Sequence, residues 1–115
     1  IREIDYYLEE NETLTYNGLN RIPYLEMVVN ETLRKWPPLL VVDRRSNEPY
    51  TIPPERNGEH PVHVEKNTLI WIPVWCIHND PQYWSEPHLF DPQRFARENL
   101  PAINRNAFLP FGLGP

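Results

Sequence analysis

Apolar residues recur at helical spacing in one segment of the chain, between residues 23 and 35. The recurring positions are Leu25, Val28, Val29 and Leu33, followed by Trp36. This spacing places them on one side of an α-helix. Pro23 suits the first turn, whose amide groups have no partner within a helix, and the Pro37-Pro38 pair prevents the helix from continuing. The pattern therefore predicts a helix from Pro23 to Lys35.

After the double proline the pattern becomes extended. Short runs of β-branched or aromatic residues alternate with Pro, Gly, Asn and Glu, which is typical of small strands and hairpins. The predicted strands are Leu39–Val42, Tyr50–Ile52, Val62–Val64 and Thr68–Pro73. Asn67 falls where a turn with positive φ is expected, because asparagine tolerates that conformation better than most residues.

The two ends of the chain are predicted to contain only short elements. Residues 1–20 mix acidic residues and tyrosines with cap and turn residues, which fits a short helical piece and a turn. From Asp80 onward, proline recurs too often for long elements. We therefore expect a meander with one-turn helices, pinned by Trp84, Phe90 and Phe95.

Composition narrows the class of protein. The 115 residues include 14 Pro, and a hydrophobic fraction of 40% supplies little core for one domain, which leaves open whether the segment folds alone. A net charge of -5 with dispersed basic residues argues against a nucleic-acid partner. The single cysteine, Cys76, excludes an intrachain disulfide framework and favours a reducing compartment. No apolar run is long enough to predict a signal peptide or a transmembrane helix.

The motifs that carry functional information are Glu31-Thr32-Leu33-Arg34, Asp91-Pro92-Gln93-Arg94-Phe95 and Phe111-Gly112-Leu113-Gly114-Pro115. Alone, a Glu-x-x-Arg pair in a helix is most often a solvated pair contributing ~0 to 1 kcal/mol. Here it is accompanied, in order, by Trp36-Pro37-Pro38, Asp43-Arg44, Ile72-Pro73, His78-Asn79-Asp80-Pro81 and Phe108-Leu109-Pro110. With this set, the chain from about Leu14 to Pro115 closely resembles the cytochrome P-450 family.

The resemblance implies an α+β fragment of the mainly α-helical cytochrome P-450 fold. Residues 1–115 would be a partial domain, truncated at both ends, in which the Glu-x-x-Arg helix, small strands and a Pro-rich meander lead to the haem-binding loop. By resemblance Glu31, Arg34 and Arg94 form a buried structural triad that clamps the meander to the helix. Gln93 stands where the family usually has Glu, but it is not a member of the triad.

The resemblance also implies which residues meet the cofactor and the substrate. Arg44, with Arg45 as the fallback, would bind a haem propionate, since a guanidinium grips a carboxylate through two parallel hydrogen bonds. A charged strand end is the alternative explanation. Phe111 and Gly112 would lie in the haem pocket, and the axial cysteine is expected just beyond Pro115. The residues that resemble the family's substrate-recognition segment are Pro38, Leu39, Leu40, Val41 and Val42.

The apolar side chains of that segment imply a lipophilic substrate, although a buried strand would show the same pattern. No catalytic residue and no metal ligand is assigned. Cys76 lies in an apolar stretch and is predicted to be a small buried residue. His78 and His88 lack a second ligand at metal-binding spacing and are expected to cap or pin the meander. His60 and His63 are expected to be exposed hairpin residues.

The function implied by resemblance is that of a haem-thiolate monooxygenase with haem b. One oxygen atom of O2 enters a lipophilic small molecule, with electrons from NADPH delivered by NADPH-cytochrome reductase. The segment from Arg44 to Pro81 is most like the microsomal detoxifying members of insects. This likeness implies the cytosolic face of the endoplasmic reticulum membrane, reached through an N-terminal anchor. The alternatives are a haem-thiolate enzyme that rearranges peroxides and a Pro- and Trp-rich protein-interaction module.

We predict that the isolated 115-residue polypeptide does not form a thiolate-ligated haem complex. Its one thiol, Cys76, lies outside the glycine-rich loop whose amides support an iron-bound thiolate in this family. The test is the reduced carbon-monoxide difference spectrum of the polypeptide mixed with haem. A spectrum characteristic of thiolate ligation would identify Cys76 as the ligand and contradict its assignment.

Overall fold

The structure is a computed structural model that describes residues 2–11 and 13–113. Its helices are α1 (Arg2–Glu10), α2 (Tyr16–Leu19), α3 (Pro23–Lys35) and α4 (Val74–His78). Its strands are β1 (Val42–Arg45), β2 (Tyr50–Ile52), β3 (Val62–Val64) and β4 (Leu69–Ile72). One-turn 3-10 helices follow at Pro92–Phe95, Leu100–Ala102 and Arg105–Ala107. Helices with small antiparallel strands confirm the α+β class.

The longest helix has the predicted bounds, and it buries its polar face, opposite the apolar positions that predicted the helix. Glu31 and Arg34 are the buried residues of α3, whereas Val29 and Trp36 are exposed. The helix contacts the 3-10 helix Pro92–Phe95 and α4, and both contacts are made by its polar side. Periodicity therefore located the helix, while its partners determined which face is buried.

The strands form two separate antiparallel pairs. β1 pairs with β4, with Val42 opposite Ile72 and Arg45 opposite Leu69. β2 pairs with β3 over the predicted ranges, which confirms both of those strands. The turn before β4 contains Asn67, whose φ of 66° confirms the predicted positive value.

The first strand was predicted too early in the chain. It begins at Val42, because pairing with β4 covers only residues 42–45, and the preceding segment instead accepts a hydrogen bond at the Leu40 carbonyl from the amide of Trp75 (3.1 Å). Leu39, Leu40 and Val41 are exposed, so the alternative of a buried strand is wrong for them.

Helix α4 was not predicted, and it corrects the assignment of Cys76. Val74 and His78 are four residues apart, lie on the same side of the helix and are fully buried. Cys76 lies halfway between them on the outer side and is exposed, so the prediction of a buried thiol is wrong. The apolar run is too short to show a clear period, so the sequence predicts no helix there.

The meander is pinned by an aromatic cluster of Trp84, Phe95 and Phe108. Phe95 and Phe108 have ring centroids 4.9 Å apart, and Trp84 lies 6.0 Å from Phe95. Phe90, also predicted to pin the meander, makes its contact outside this cluster. It is exposed and stacks at 6.0 Å on Trp36, the residue that follows the last residue of α3.

The described chain is extended. Its radius of gyration is 19.1 Å, against about 13 Å for a compact domain of this length. Large apolar side chains are exposed along it, including Leu40, Trp71 and Phe111. Within the described residues, none of the helices has the length and apolar character needed to cross a bilayer.

Candidate functional site

The centre of the site is a buried ion pair on α3. Arg34 Nε donates to Glu31 Oε2 and Arg34 Nη2 donates to Glu31 Oε1, both at 2.7 Å. Both side chains are 0% exposed. The spacing of three residues places them on one helix face, and the planar guanidinium matches both carboxylate oxygens. The result is a bidentate pair shielded from water.

The remaining donors of Arg34 bind backbone carbonyls of distant segments. Nη1 donates to the carbonyl of His78 at 2.8 Å, and Nη2 lies 3.0 Å from the carbonyls of Pro87 and Leu89. A buried guanidinium must satisfy these donors, because unpaired ones would lose their hydration without compensation. One side chain thus joins α3 to the end of α4 and to the meander.

Arg94 lies at the edge of this centre. Its Nε is 3.5 Å from Glu31 Oε1, its side chain is 12% exposed, and Nε itself makes no hydrogen bond within the described residues. Its Nη2 donates to the carbonyl of Glu86 at 2.8 Å. The structure therefore brings Glu31, Arg34 and Arg94 together, with the carboxylate between two guanidiniums and carbonyl groups around the excess positive charge.

Asp91 also contacts the buried ion pair, a role that the sequence did not predict. Its amide donates to Glu31 Oε1 at 2.9 Å, and its side chain accepts from the amide of Gln93 at 3.0 Å, capping the 3-10 helix that carries Arg94. The available signal was Asp followed by Pro, which is typical of a cap before a first helical turn.

The histidines differ in environment. His78 is fully buried and its ring binds the backbone of Arg34 and Leu109, which confirms that it pins the meander. The ring of His88 is on the surface beside Glu86, so the corresponding prediction for His88 is wrong. His60 and His63 are exposed, as predicted. Among the described residues, no group of three potential side-chain ligands could hold a metal ion.

A second region joins β1 to the end of the described chain. Arg44 Nη2 lies 3.5 Å from the carbonyl of Leu113, and its Nη1 donates to the carbonyl of Asp43 at 2.8 Å. Gly112 has φ of +82°, and a side chain there would lie 3.9 Å from Val42. A left-handed conformation disfavours any residue with a side chain. Gly114 and Pro115 of the motif lie outside the described residues.

This region has the chemistry expected of a haem edge. Leu39, Leu40, Val41 and Phe111 are exposed apolar side chains, and Phe111 is 70% exposed. Arg44 provides the cationic group that a propionate would need. Alternation along β1 places Arg44 on the side of Val42 and Arg45 on the other, which favours Arg44 over Arg45. The residues present therefore fit the cofactor.

Comparison with known proteins gives the family. The Cytochrome P450 family model matches residues 1–115. "Cytochrome P450 9e2" of Blattella germanica is 43% identical over 114 residues, covering 98% of this chain and 21% of the relative. "Cytochrome P450 3A18" of Rattus norvegicus is 42% identical and "Cytochrome P450 3A25" of Mus musculus is 40% identical, each over 113 residues, with 98% and 21% coverage.

The chain therefore belongs to the cytochrome P-450 family. It spans about one fifth of the length of these curated relatives. Insect and mammalian relatives have similar identities, so these matches do not single out the insect branch. Membership in this family implies haem iron, ligated by a thiolate in the full-length protein, as the cofactor.

The buried ion pair leads to a prediction for the full-length protein. Glu31→Gln removes the charge that balances Arg34 and should cost about 3 to 5 kcal/mol, lowering the yield of folded, haem-loaded protein. Arg94→Ala should act in the same direction but less strongly, because Arg94 is partly exposed and does not hydrogen-bond Glu31. The measurement is haem bound per mole of soluble protein.

The matched controls are Glu26→Gln on the exposed side of α3 and Arg97→Ala in the exposed meander, both of which should load normally. Normal loading of both Glu31→Gln and Arg94→Ala would contradict a buried structural triad.

Proposed function

We propose that this chain is part of a haem-thiolate monooxygenase that inserts one oxygen atom of O2 into a lipophilic small molecule. Family membership supports the general class, and one structural observation supports the site. Arg44 of β1 lies 3.5 Å from the Leu113 carbonyl, and the apolar side chains of Leu39–Val41, just before β1, and of Phe111 are exposed. When bound, haem with its thiolate ligand would supply the activation of O2.

The residues of this chain have supporting roles in that reaction. Arg44 binds a propionate and fixes the orientation of the macrocycle. Gly112 lets the backbone approach the cofactor, since it presents no side chain at a positive φ. Leu39, Leu40 and Val41 line the substrate side, where their lack of polar groups selects lipophilic molecules. Glu31, Arg34 and Arg94 hold the segments that carry these groups.

Residues 1–115 would form part of a single larger domain. Val29 and Trp36, two of the apolar positions that predicted α3, are exposed, and the radius of gyration is large. Both observations support this proposal, because a stable domain covers most of its apolar surface. The axial cysteine would follow Pro115. The relative lengths of the chain and its curated relatives are consistent with this arrangement.

The proposed partners are those of a microsomal enzyme. Electrons would come from NADPH through NADPH-cytochrome reductase, and an N-terminal anchor outside this chain would hold the protein on the cytosolic face of the endoplasmic reticulum membrane. A detoxifying role in an insect is the finer proposal, and it rests on the likeness of residues 44–81 to the microsomal members of insects. No observation favours peroxide rearrangement or an interaction module. Trp36, Trp71, Trp75 and Trp84 lie in different parts of the fold, and Trp84 is buried.

The proposal predicts separate roles for neighbouring residues in the full-length protein. Leu40→Phe should change the distribution of products while haem content stays normal, because Leu40 is 61% exposed and binds no cofactor group. Arg44→Leu should weaken haem binding roughly tenfold, since loss of a charged hydrogen bond costs about 1.5 kcal/mol or more. Product analysis and haem titration are the two measurements.

Arg45→Leu is the matched control, since Arg45 lies on the other side of β1 and should retain haem normally. If Leu40→Phe loses haem while Arg44→Leu keeps it and shifts the products, the two roles are reversed. Equal haem loss in Arg44→Leu and Arg45→Leu would mean that neither guanidinium specifically binds the propionate.

A further inference from the structure

His78 is a buried titratable side chain whose ring has a fixed orientation. It is the last residue of α4, and its side chain is 0% exposed. The ring stacks on Phe108, with centroids 5.6 Å apart, and Trp84 lies edge-on at 6.5 Å. Aromatic contacts on two sides restrict rotation of the imidazole. Both ring nitrogens are therefore directed at particular backbone groups.

Those backbone groups require one tautomer. The amide of Leu109 can only donate, so its 2.7 Å hydrogen bond requires Nε2 of His78 to be an unprotonated acceptor. The carbonyl of Arg34 can only accept, so its 3.0 Å contact requires Nδ1 to carry the hydrogen. The neutral imidazole protonated at Nδ1 satisfies both partners, and the charged form cannot accept from Leu109.

His78 and Arg34 bond each other in both directions. The His78 ring donates from Nδ1 to the Arg34 carbonyl, and Arg34 Nη1 donates to the His78 carbonyl at 2.8 Å. The ends of α3 and α4 are thereby joined twice, once through each side chain. The buried guanidinium and the imidazole hold the same pair of backbone segments.

Leu109 is also the first residue of the turn that contains Gly112. Its carbonyl accepts from the amide of Gly112 at 3.1 Å, and the turn has the positive φ at Gly112 described above. The amide of Leu109 is held by His78, and its carbonyl closes the turn. A continuous series of hydrogen bonds thus runs from Arg34 through His78 and Leu109 to Gly112.

We propose that His78 is a positioning residue for the haem-binding turn. Its imidazole, protonated at Nδ1, holds Leu109 and thereby fixes the turn through Gly112 relative to α3. His78 acts through Leu109 and does not touch the cofactor. This inference rests on the proposed function, because the turn has its haem-binding role only in that protein.

If His78 positions the turn, protonation of its imidazole at low pH should release the turn, because Nε2 could no longer accept from the Leu109 amide. Burial lowers the pKa of His78 below its ordinary value of 6.5, the bond to the Arg34 carbonyl opposes this shift, and the Arg34 charge adds to it. The unfolded chain therefore takes up a proton below about pH 6.5 that the folded chain resists. The stabilisation of the folded state by neutral His78 is complete above about pH 6.5, and it is lost as the pH falls towards the lowered pKa of His78.

The charges that face the ring come from one element. Arg34 of α3 contributes a positive charge, and Glu31 on the same helix is already bound to that guanidinium. The meander and the segment before the turn present Trp84, Phe108 and Leu109, which do not titrate. Protonated His78 would thus meet a like charge and no carboxylate of its own among the described residues.

Three substitutions in the full-length holoprotein separate the two bonds. His78→Gln places a carboxamide oxygen near the position of Nε2 and keeps an acceptor for Leu109. His78→Asn places its amide near Nδ1, so it keeps the donor to Arg34 but does not reach Leu109. His78→Phe keeps an aromatic ring and removes both bonds. The glutamine and asparagine variants both lose the ring, so they form a matched pair.

The first measurement is the rate of haem dissociation, with thiolate ligation followed in the reduced carbon-monoxide spectrum. We expect haem to leave His78→Asn and His78→Phe at least about tenfold faster than His78→Gln, because both leave the buried Leu109 amide without an acceptor. Equal rates for the glutamine and asparagine variants would overturn the positioning role. Absence of the thiolate spectrum from the unsubstituted protein would instead overturn the proposed function.

The second measurement separates positioning from general stability. Hydrogen exchange of the amides in residues 108–113 should be about tenfold faster in His78→Asn than in His78→Gln, with exchange in α3 equal in the two proteins. Equal acceleration in both segments would show a general loss of stability and would overturn the proposal. This readout does not depend on activity.

The third measurement is the pH at which the thiolate spectrum is lost. In the unsubstituted protein it should be lost at a higher pH than in His78→Gln, because glutamine cannot take up the proton that breaks the bond to Leu109. An unchanged midpoint would contradict the role of the imidazole, since the remaining histidines are common to both proteins.

Discussion

The buried ion pair between Glu31 and Arg34 is the interaction on which the rest of the structure depends. A guanidinium removed from water must have its donors satisfied, and the carboxylate uses only part of them. The others bind carbonyls of His78, Pro87 and Leu89, which lie 44 to 55 residues further along the chain. A Pro-rich segment with little regular structure is ordered because the buried charge requires its backbone.

The same requirement links the scaffold to the proposed cofactor site. His78 is bonded to Arg34 in both directions and holds the amide of Leu109, three residues before Gly112. The ion pair is a poor source of net stability in itself, because desolvation offsets much of its attraction. We infer that the ion pair contributes mainly to specificity, since its donors require carbonyl groups from three separate positions, His78, Pro87 and Leu89.

The proposed functional surface has the opposite character. Around Arg44 and Gly112 the chain exposes apolar side chains, and a left-handed glycine stands where a side chain would be disfavoured. The region around Glu31 and Arg34 is thus closed by polar contacts, whereas the region around Arg44 and Gly112 is open and apolar. This division suits a segment that supports a planar cofactor from a rigid helix, as proposed for the full-length protein.

The sequence by itself determined the local features: the bounds of α3, strands β2 and β3, the positive φ of Asn67 and, through its motifs, the family. Only the tertiary structure decided which segments cover the buried face of α3, where β1 begins, that residues 74–78 are helical with Cys76 outside, and that Phe90 stacks on Trp36. Capping, proline and turn preferences act over a few residues and can be read locally. Burial of Glu31 or His78 depends on partners 31 to 60 residues away, whose position no local pattern specifies.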